Sequence, residues 1–140
     1  MNKDFNVKSF VEEYEKCSNN DDKAKFLKSN LKTEKYMPYA DKLTRAENIV
    51  KSSSYAMIKE DGKLKQTDRI ALNSPMRYIL FVMTVVDKYT NIEVNFNNIM
   101  PDFDALNFNS LIEIIFEKIG DKETAEFNTV VDDLLVKYGI

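Results

Sequence analysis

The residues of this chain with any means for chemistry are few and loosely grouped. Asp102 and Asp104 in "PDFD" come nearest to a metal pair, and Asp121 or Glu93 could supply a third oxygen if the fold brought it close. The spacing does not make a calcium loop of the EF-hand kind, because the glycine at position six and the glutamate at position twelve are missing. Two acids at a helix start also suit the positive end of the helix dipole. No metal and no cofactor is expected on that reading. Asp132 and Asp133 fall in mid-helix on a polar face, where solvated charge is the simpler account. The single cysteine, Cys17, follows Lys16 at a helix end. A reactive thiol wants a positive, partly exposed setting, yet the chain has no histidine to pair with it. Ser52, Ser53 and Ser54 lack the glycine-flanked elbow of a serine nucleophile, and three glycines leave little room for a phosphate-binding loop. The expected chemistry is therefore binding, with no enzymatic activity.

Composition narrows the classes further. A chain of 140 residues with 44% hydrophobic and 31% charged side chains is ordinary for a folded protein. It fits one domain, 1–140, which buries roughly two thirds of its unfolded surface. One thiol without a partner suits a reducing compartment. No apolar leader follows Met1, and the longest apolar run, "YILFVM" with "VV" after Thr84, falls well short of the ~20 residues that span a bilayer. A cytoplasmic protein without membrane contact is expected.

Nucleic acid is a weaker candidate than the lysines first suggest. Lys23, Lys25, Lys28, Lys32 and Lys35 recur in one stretch, and Lys59, Lys63 and Lys65 in another. Asp21, Asp22, Glu34, Glu60 and Asp61 interleave with them, and the isoelectric point is about 5.1. A nucleic-acid module shows a basic excess, so no direct nucleic-acid binding is expected. Charge is nevertheless uneven: residues 1–70 hold 15 Lys/Arg against 12 Asp/Glu, and residues 71–140 hold 5 against 11. Such a split suits head-to-tail contact between copies, or contact with a charged partner.

The elements that would position these residues are mostly helical. Val7, Phe10, Val11 and Tyr14 recur at helical spacing, as do Ala24, Phe26, Leu27 and Leu31 after an Asp21–Asp22 start. Pro38 suits a first helical position. The helix after it places Ala40, Leu43, Ala46, Ile49 and Val50 in one stripe, with Lys42, Arg45 and Glu47 facing away. Asp61-Gly62 between "YAMIK" and "KLKQ" predicts a hairpin. "NSPMRYILFVMTVVDKYT", capped by Asn73 or Ser74, has almost no polar face and reads as a helix buried on most sides. "NIEVNFNNIMPDFDALN" is irregular and Asn-rich, with one short helix near 103–106. "FNSLIEIIFEKIG" is a helix capped by Asn107 or Asn109 and stopped by Gly120. In the last helix Phe127, Val130, Val131, Leu134, Leu135 and Tyr138 repeat cleanly. The expected fold is thus mostly α: about five or six helices around a buried central helix near 74–90, plus one small hairpin near 55–66.

What remains for function is contact with protein. Tyr36, Met37, Tyr39 and Tyr55 flank the helix after Pro38, and Tyr, Met and Arg are enriched at interface cores. With Lys42, Arg45 and the hairpin's Lys63 and Lys65 they form the expected contact set; the hairpin edge could also add to a partner's sheet.

"YMPYADKLTRAENIVKSSSY" and "NSPMRYILFVMTVVDKYTNIEV" resemble small proteins from the structural gene modules of phages and prophages of low-GC Gram-positive bacteria. The shared pattern is an extended Tyr-x-Pro-Tyr lead-in, a helix ending near Ile-Val, and Ser-Pro before an apolar helix ending Asp-x-Tyr-Thr. It spans roughly residues 33–93 and, more loosely, the acidic C-terminal helix. The resemblance implies a virion structural or assembly role: a head–tail connector or neck component, a tail component, or an assembly chaperone. Its partners would be other phage structural proteins, or copies of itself in a homo-oligomer, and its place the host cytoplasm during assembly or, for a structural component, the virion as well. A small phage-encoded adaptor or inhibitor binding a host protein as a monomer is the alternative. No functional residue is carried over from the resemblance.

Overall fold

The computed structural model describes residues 1–60 and 63–140, with the backbone alone for 55–60 and 63–70. In chain order the described elements are β1 (Phe5–Asn6), α1 (Val7–Glu15), α2 (Asn20–Asn30), α3 (Tyr39–Ser53), β2 (Ser54–Glu60), β3 (Lys63–Leu72), α4 (Ser74–Tyr89), β4 (Ile92–Glu93), a 3-10 turn (Phe96–Asn98), α5 (Ile99–Phe108), α6 (Leu111–Ile119) and α7 (Asp121–Lys137). The fold is mostly helical with a small strand pair, as the periodicity predicts. The chain groups into two compact units, Met1–Met37 with Val82–Thr124 and Pro38–Phe81 with Ala125–Ile140, whose boundaries fall inside α4 and α7. The first unit carries eleven Lys/Arg against fifteen Asp/Glu, the second nine against eight. The steep charge split seen along the sequence is therefore much shallower in the fold, because the lysine-rich N-terminal segment packs with the acidic residues of 82–124.

In the first unit α1 buries Val7, Phe10, Val11 and Tyr14, all four expected. Asn6 opens it with a reciprocal capping box: the Asn6 side chain accepts from Ser9 N–H, and Asn6 N–H donates to the Ser9 hydroxyl. α2 is polar on nearly every side and buries none of its residues. Of its expected apolar face, Ala24 is exposed, Phe26 and Leu27 are half-buried, and only Leu31, just past its end, is in the core. α5 runs well beyond the short helix expected near 103–106. α6 begins at Leu111 with Ser110 at its N-cap, in place of the expected Asn107 or Asn109. Ser110 in the left-handed region (φ 56°) breaks the chain between the two helices, while the Asn109 amide donates back to Ala105 O. Gly120 (φ 112°) ends α6 as predicted.

Two features of this unit leave no periodic trace in the sequence. β1 pairs in parallel with β4, Phe5 opposite Ile92 and Asn6 opposite Glu93. Beside them Asn91, fully buried, ties its own segment to two others, residues 4–5 and 30–32. Its Oδ1 accepts from Lys32 N–H (3.0 Å), its Nδ2 donates to Asp4 Oδ2 (3.0 Å) and Asn30 O (2.8 Å), its N–H donates to Lys32 O, and its carbonyl accepts from Asp4 and Phe5 N–H. Lys3 adds a second clamp. Its ammonium donates to the carbonyls of Asp87, Thr90 (2.7 Å) and Ile92 (3.1 Å), which lie at and just past the negative end of α4. Burial pushes that ammonium below the usual lysine range, against the opposing pull of Asp87.

In the second unit β2 and β3 form the expected antiparallel hairpin, longer than predicted: Ser54 pairs with Leu72 and Glu60 with Lys63, with a register shift between Ala56 and Ile58. Its Asp61-Gly62 turn lies outside the described residues. Asn73 is the cap of α4, accepting from Met76 N–H at 3.1 Å. α4, which runs from this unit into the first at Val82, is not buried throughout. Phe81 to Val86 are buried without a break, but residues 74–80 are exposed or half-buried, and Tyr78 is 53% exposed. α7 buries Phe127, Val130, Val131, Leu134 and Leu135. Tyr138, the expected last member of that stripe, lies past the helix end and is exposed.

Replacing Asn91 by Asp removes both amide donors and sets a buried carboxylate against Asp4, so Asn91→Asp is expected to lower stability by about 3 kcal/mol in urea titration. A loss below about 1 kcal/mol would show that water replaces the network at no great cost. The same contacts give a pH signature. Asn91 first, then Lys32, hold the Asp4 carboxyl below the ordinary 3.8. A depressed carboxyl contributes stability that is present above its unfolded pKa and lost as pH falls through its folded value. Asp4→Asn should therefore flatten the fall in stability below about pH 4; an unchanged acid limb would remove Asp4 from the acid response.

Candidate protein-contact surfaces

The expected contact set divides once the fold is known. Tyr36 and Tyr39 are 55% and 50% exposed, as a contact role needs. Met37 is buried at 6%, and its N–H donates to Glu123 Oε2 at 2.9 Å. The same carboxylate oxygen accepts the Tyr89 hydroxyl at 2.6 Å, so Met37 anchors the chain and is not an outward contact. Arg45 is half-buried. The side chains of Tyr55, Lys63 and Lys65 lie outside the described residues.

Lys42 is the sharpest correction. Expected to face away, it is fully buried, with Nζ 2.8 Å from Glu126 Oε1 on α7. Leu43, expected in the core, is 40% exposed. The reason is helical phase. Ala46, Ile49, Val50 and Ser53 fix the buried stripe of α3; at about 100° per residue Lys42 falls nearer its centre than Leu43 does. Reading the stripe by side-chain polarity placed the two the wrong way round. The long lysine stem fills the site and its head ends on the carboxylate. The expected apolar stripe holds for Ala46, Ile49 and Val50, while Ala40 is exposed.

What α3 does present outward is an apolar flank. Tyr39 and Leu43 are one turn apart, and Glu47 one turn further accepts from the Tyr138 hydroxyl at 3.5 Å. Val136, at the end of α7, is 77% exposed.

The first unit contains a half-open groove of about 930 Å³ that the sequence reading did not single out. One wall is the start of α1, with Asn6, Lys8, Val11 and Glu12. The other is the Asn-rich stretch Glu93–Asn98 and the first turns of α5. The second wall is pinned by its own side chains. Val94 N–H donates to Asp87 Oδ1, Asn95 N–H to Asp102 Oδ2, Asn97 N–H to Asn95 Oδ1 and Asn98 N–H to Asn95 O, all at 3.0–3.1 Å. The only sequence signal was the density of asparagine, which suits irregular backbone held by local side-chain bonds.

The residues considered for chemistry are occupied or dispersed. Asp102 takes the Asn95 N–H, and among the described residues no three His, Cys, Asp or Glu side chains gather as a metal site. Cys17, half-buried, points its thiol at Glu13 O at 3.6 Å. Ser53 donates to Ile49 O at 2.6 Å, and the buried Ser54 Oγ has no partner among the described residues. Among the described residues no helix is long and apolar enough to cross a membrane. The chain matches no family model, and neither the curated proteins nor the solved structures contain a match to it.

Burial makes Lys42 a test of this division. Were it a contact residue, Lys42→Ala would leave the fold untouched. Its place in the core predicts a loss of about 3 kcal/mol from the cavity and the unpaired Glu126. Lys42→Met, which keeps most of the volume, should stay within about 1.5 kcal/mol of the parent. Equal losses in the two variants would mean that charge, not packing, holds the site.

Proposed function

We propose that this protein is a non-enzymatic phage virion structural or assembly protein, a head–tail connector or neck component, a tail component or an assembly chaperone, working through protein–protein contacts. The observation that carries the contact reading is the exposed Tyr39–Leu43 flank of α3. Leaving two large side chains in water one turn apart forgoes roughly 1–3 kcal/mol of burial, which a partner surface would recover. The link to phage assembly comes from the resemblance over residues 33–93. α2 adds support: a helix that buries none of its own residues and presents Lys25 and Lys28 to solvent can meet an acidic partner without rearrangement.

The decisive experiment raises antibodies to the chain and probes purified particles and assembly intermediates from a host carrying its gene, alongside light scattering of the pure protein at two salt concentrations. The chain should be found in one of those fractions. A Tyr39→Ser/Leu43→Ser variant should fold within about 1 kcal/mol of the parent yet fail to be incorporated. Absence from both fractions, with a tight one-to-one complex with a host protein, would replace this reading with that of a monomeric adaptor or inhibitor.

A further inference from the structure

The groove between α1 and the Glu93–Asn98 wall has features that a mere surface fold does not need. Its floor is apolar, from Val11, Val94 and Ala105, and Phe96 stands on its wall at 45% exposure. Its charge is one-sided. Glu12, Glu93 and Asp102 face it against one cation, Lys8. Asp102 is already engaged, whereas the exposed carboxylates of Glu12 and Glu93 make no ion pair or hydrogen bond among the described residues; Glu93 does lie within electrostatic reach of Lys3, whose ammonium is itself held by three carbonyls. The positive ends of two helices also open here. Both are answered internally: α1 by the Asn6–Ser9 box, and α5 by Asp102 in its first turn. An anion would therefore find no free positive group but Lys8, whereas a cation would find two unpaired carboxylates and an aromatic face.

We propose that this groove binds a basic segment of a partner protein, with a Lys or Arg head between Glu12 and Glu93 and an adjacent apolar side chain on the Val11–Val94–Ala105 floor. A guanidinium forks onto carboxylates and also stacks on an aromatic ring, and Phe96 is the ring in place. The volume suits a short stretch of chain better than a lone ion. The wall is pre-formed by its own hydrogen bonds, so binding orders little of the protein. This inference rests on the protein-contact reading above and names the chemistry of one partner.

The test uses the full chain and a fluorescent hexapeptide alternating arginine and valine, with a glutamate–valine hexapeptide and spermidine as controls. Fluorescence anisotropy gives affinity, and amide chemical shifts give the site. The basic peptide should bind, weaken when salt rises from ~50 to ~500 mM, and move the amides of Lys8, Val94 and Asn97. Glu12→Gln/Glu93→Gln should weaken it roughly tenfold or more, while Lys8→Ala should leave it equal or tighter. Because these side chains are exposed, the double variant should keep the parent's unfolding midpoint, so its loss of binding would not be loss of fold. No binding at millimolar peptide, equal binding of the acidic peptide, competition by spermidine at equal concentration, or shifts confined to other surfaces would each overturn the proposal. So would self-association abolished by Glu12→Gln/Glu93→Gln, which would make the occupant a second copy. Particle incorporation is read separately, so failure of the groove leaves the assembly reading standing, and peptide binding by a chain absent from particles would overturn that reading alone.

Discussion

Asn91 is the point on which the first unit closes. A fully buried amide is tolerated only when its donors and acceptor are used, and here the side chain and the backbone of one residue serve residues 4, 5, 30 and 32 together. None of these partners is near it in sequence. The N-terminal segment has no helix of its own before Val7, so its position depends on that amide, on the β1–β4 pair and on the Lys3 ammonium at the end of α4. Where Asn91 sits then fixes where α1 begins, and α1 is one wall of the groove. The groove's geometry thus descends from a polar network, while the apolar core beneath it supplies the driving force for collapse.

Both units are assembled from pieces far apart in the chain. The first unit cannot form until residues 82–124 return to the N-terminal segment, and the second waits on residues 125–140 in the same way. Closing such loops costs conformational entropy that grows only slowly with loop length, but contacts so distant in sequence slow the search. The apolar stripes of α1 and α7 help here only once partners arrive, since nucleating a helix is costly and a helix as short as the nine-residue α1 is marginal without packing. The weaker elements, α2 and the two-residue strands, have little to hold them outside the assembled unit.

Legibility in the sequence followed the same division. Where burial was apolar and regular, as in α1 and from Phe127 to Leu135, spacing alone found the element and its inward face. The Asp-Gly turn signal found the hairpin, and Asn73 and Gly120 were found by their chemistry as cap and stop. Failure came where a polar group is buried or an apolar one exposed. Polarity alone exchanges Lys42 and Leu43, whereas helical phase separates them correctly. The stripe of α3 is set by Ala46, Ile49, Val50 and Ser53, and extending it backwards would have placed Lys42 inside. β1, β4 and Asn91 gave no signal, because two-residue strands have no period and a satisfied amide looks like any surface asparagine. The groove was hidden for the same reason.

The two candidate contact surfaces differ in what they can contribute to recognition. The Tyr39–Leu43 flank offers apolar area, which supplies affinity with little power to choose a partner. The groove offers a fixed wall and two uncommitted carboxylates, which select charge and orientation more than they add binding energy. Charge counted along the sequence suggested attraction between an acidic and a basic half. The fold mixes those halves, leaving the first unit moderately acidic and the second nearly neutral. Long-range steering is correspondingly weak and screened within about 8 Å at physiological salt. Discrimination must then come at contact distance, which a groove with an apolar floor and paired acids can provide and an open helix flank cannot.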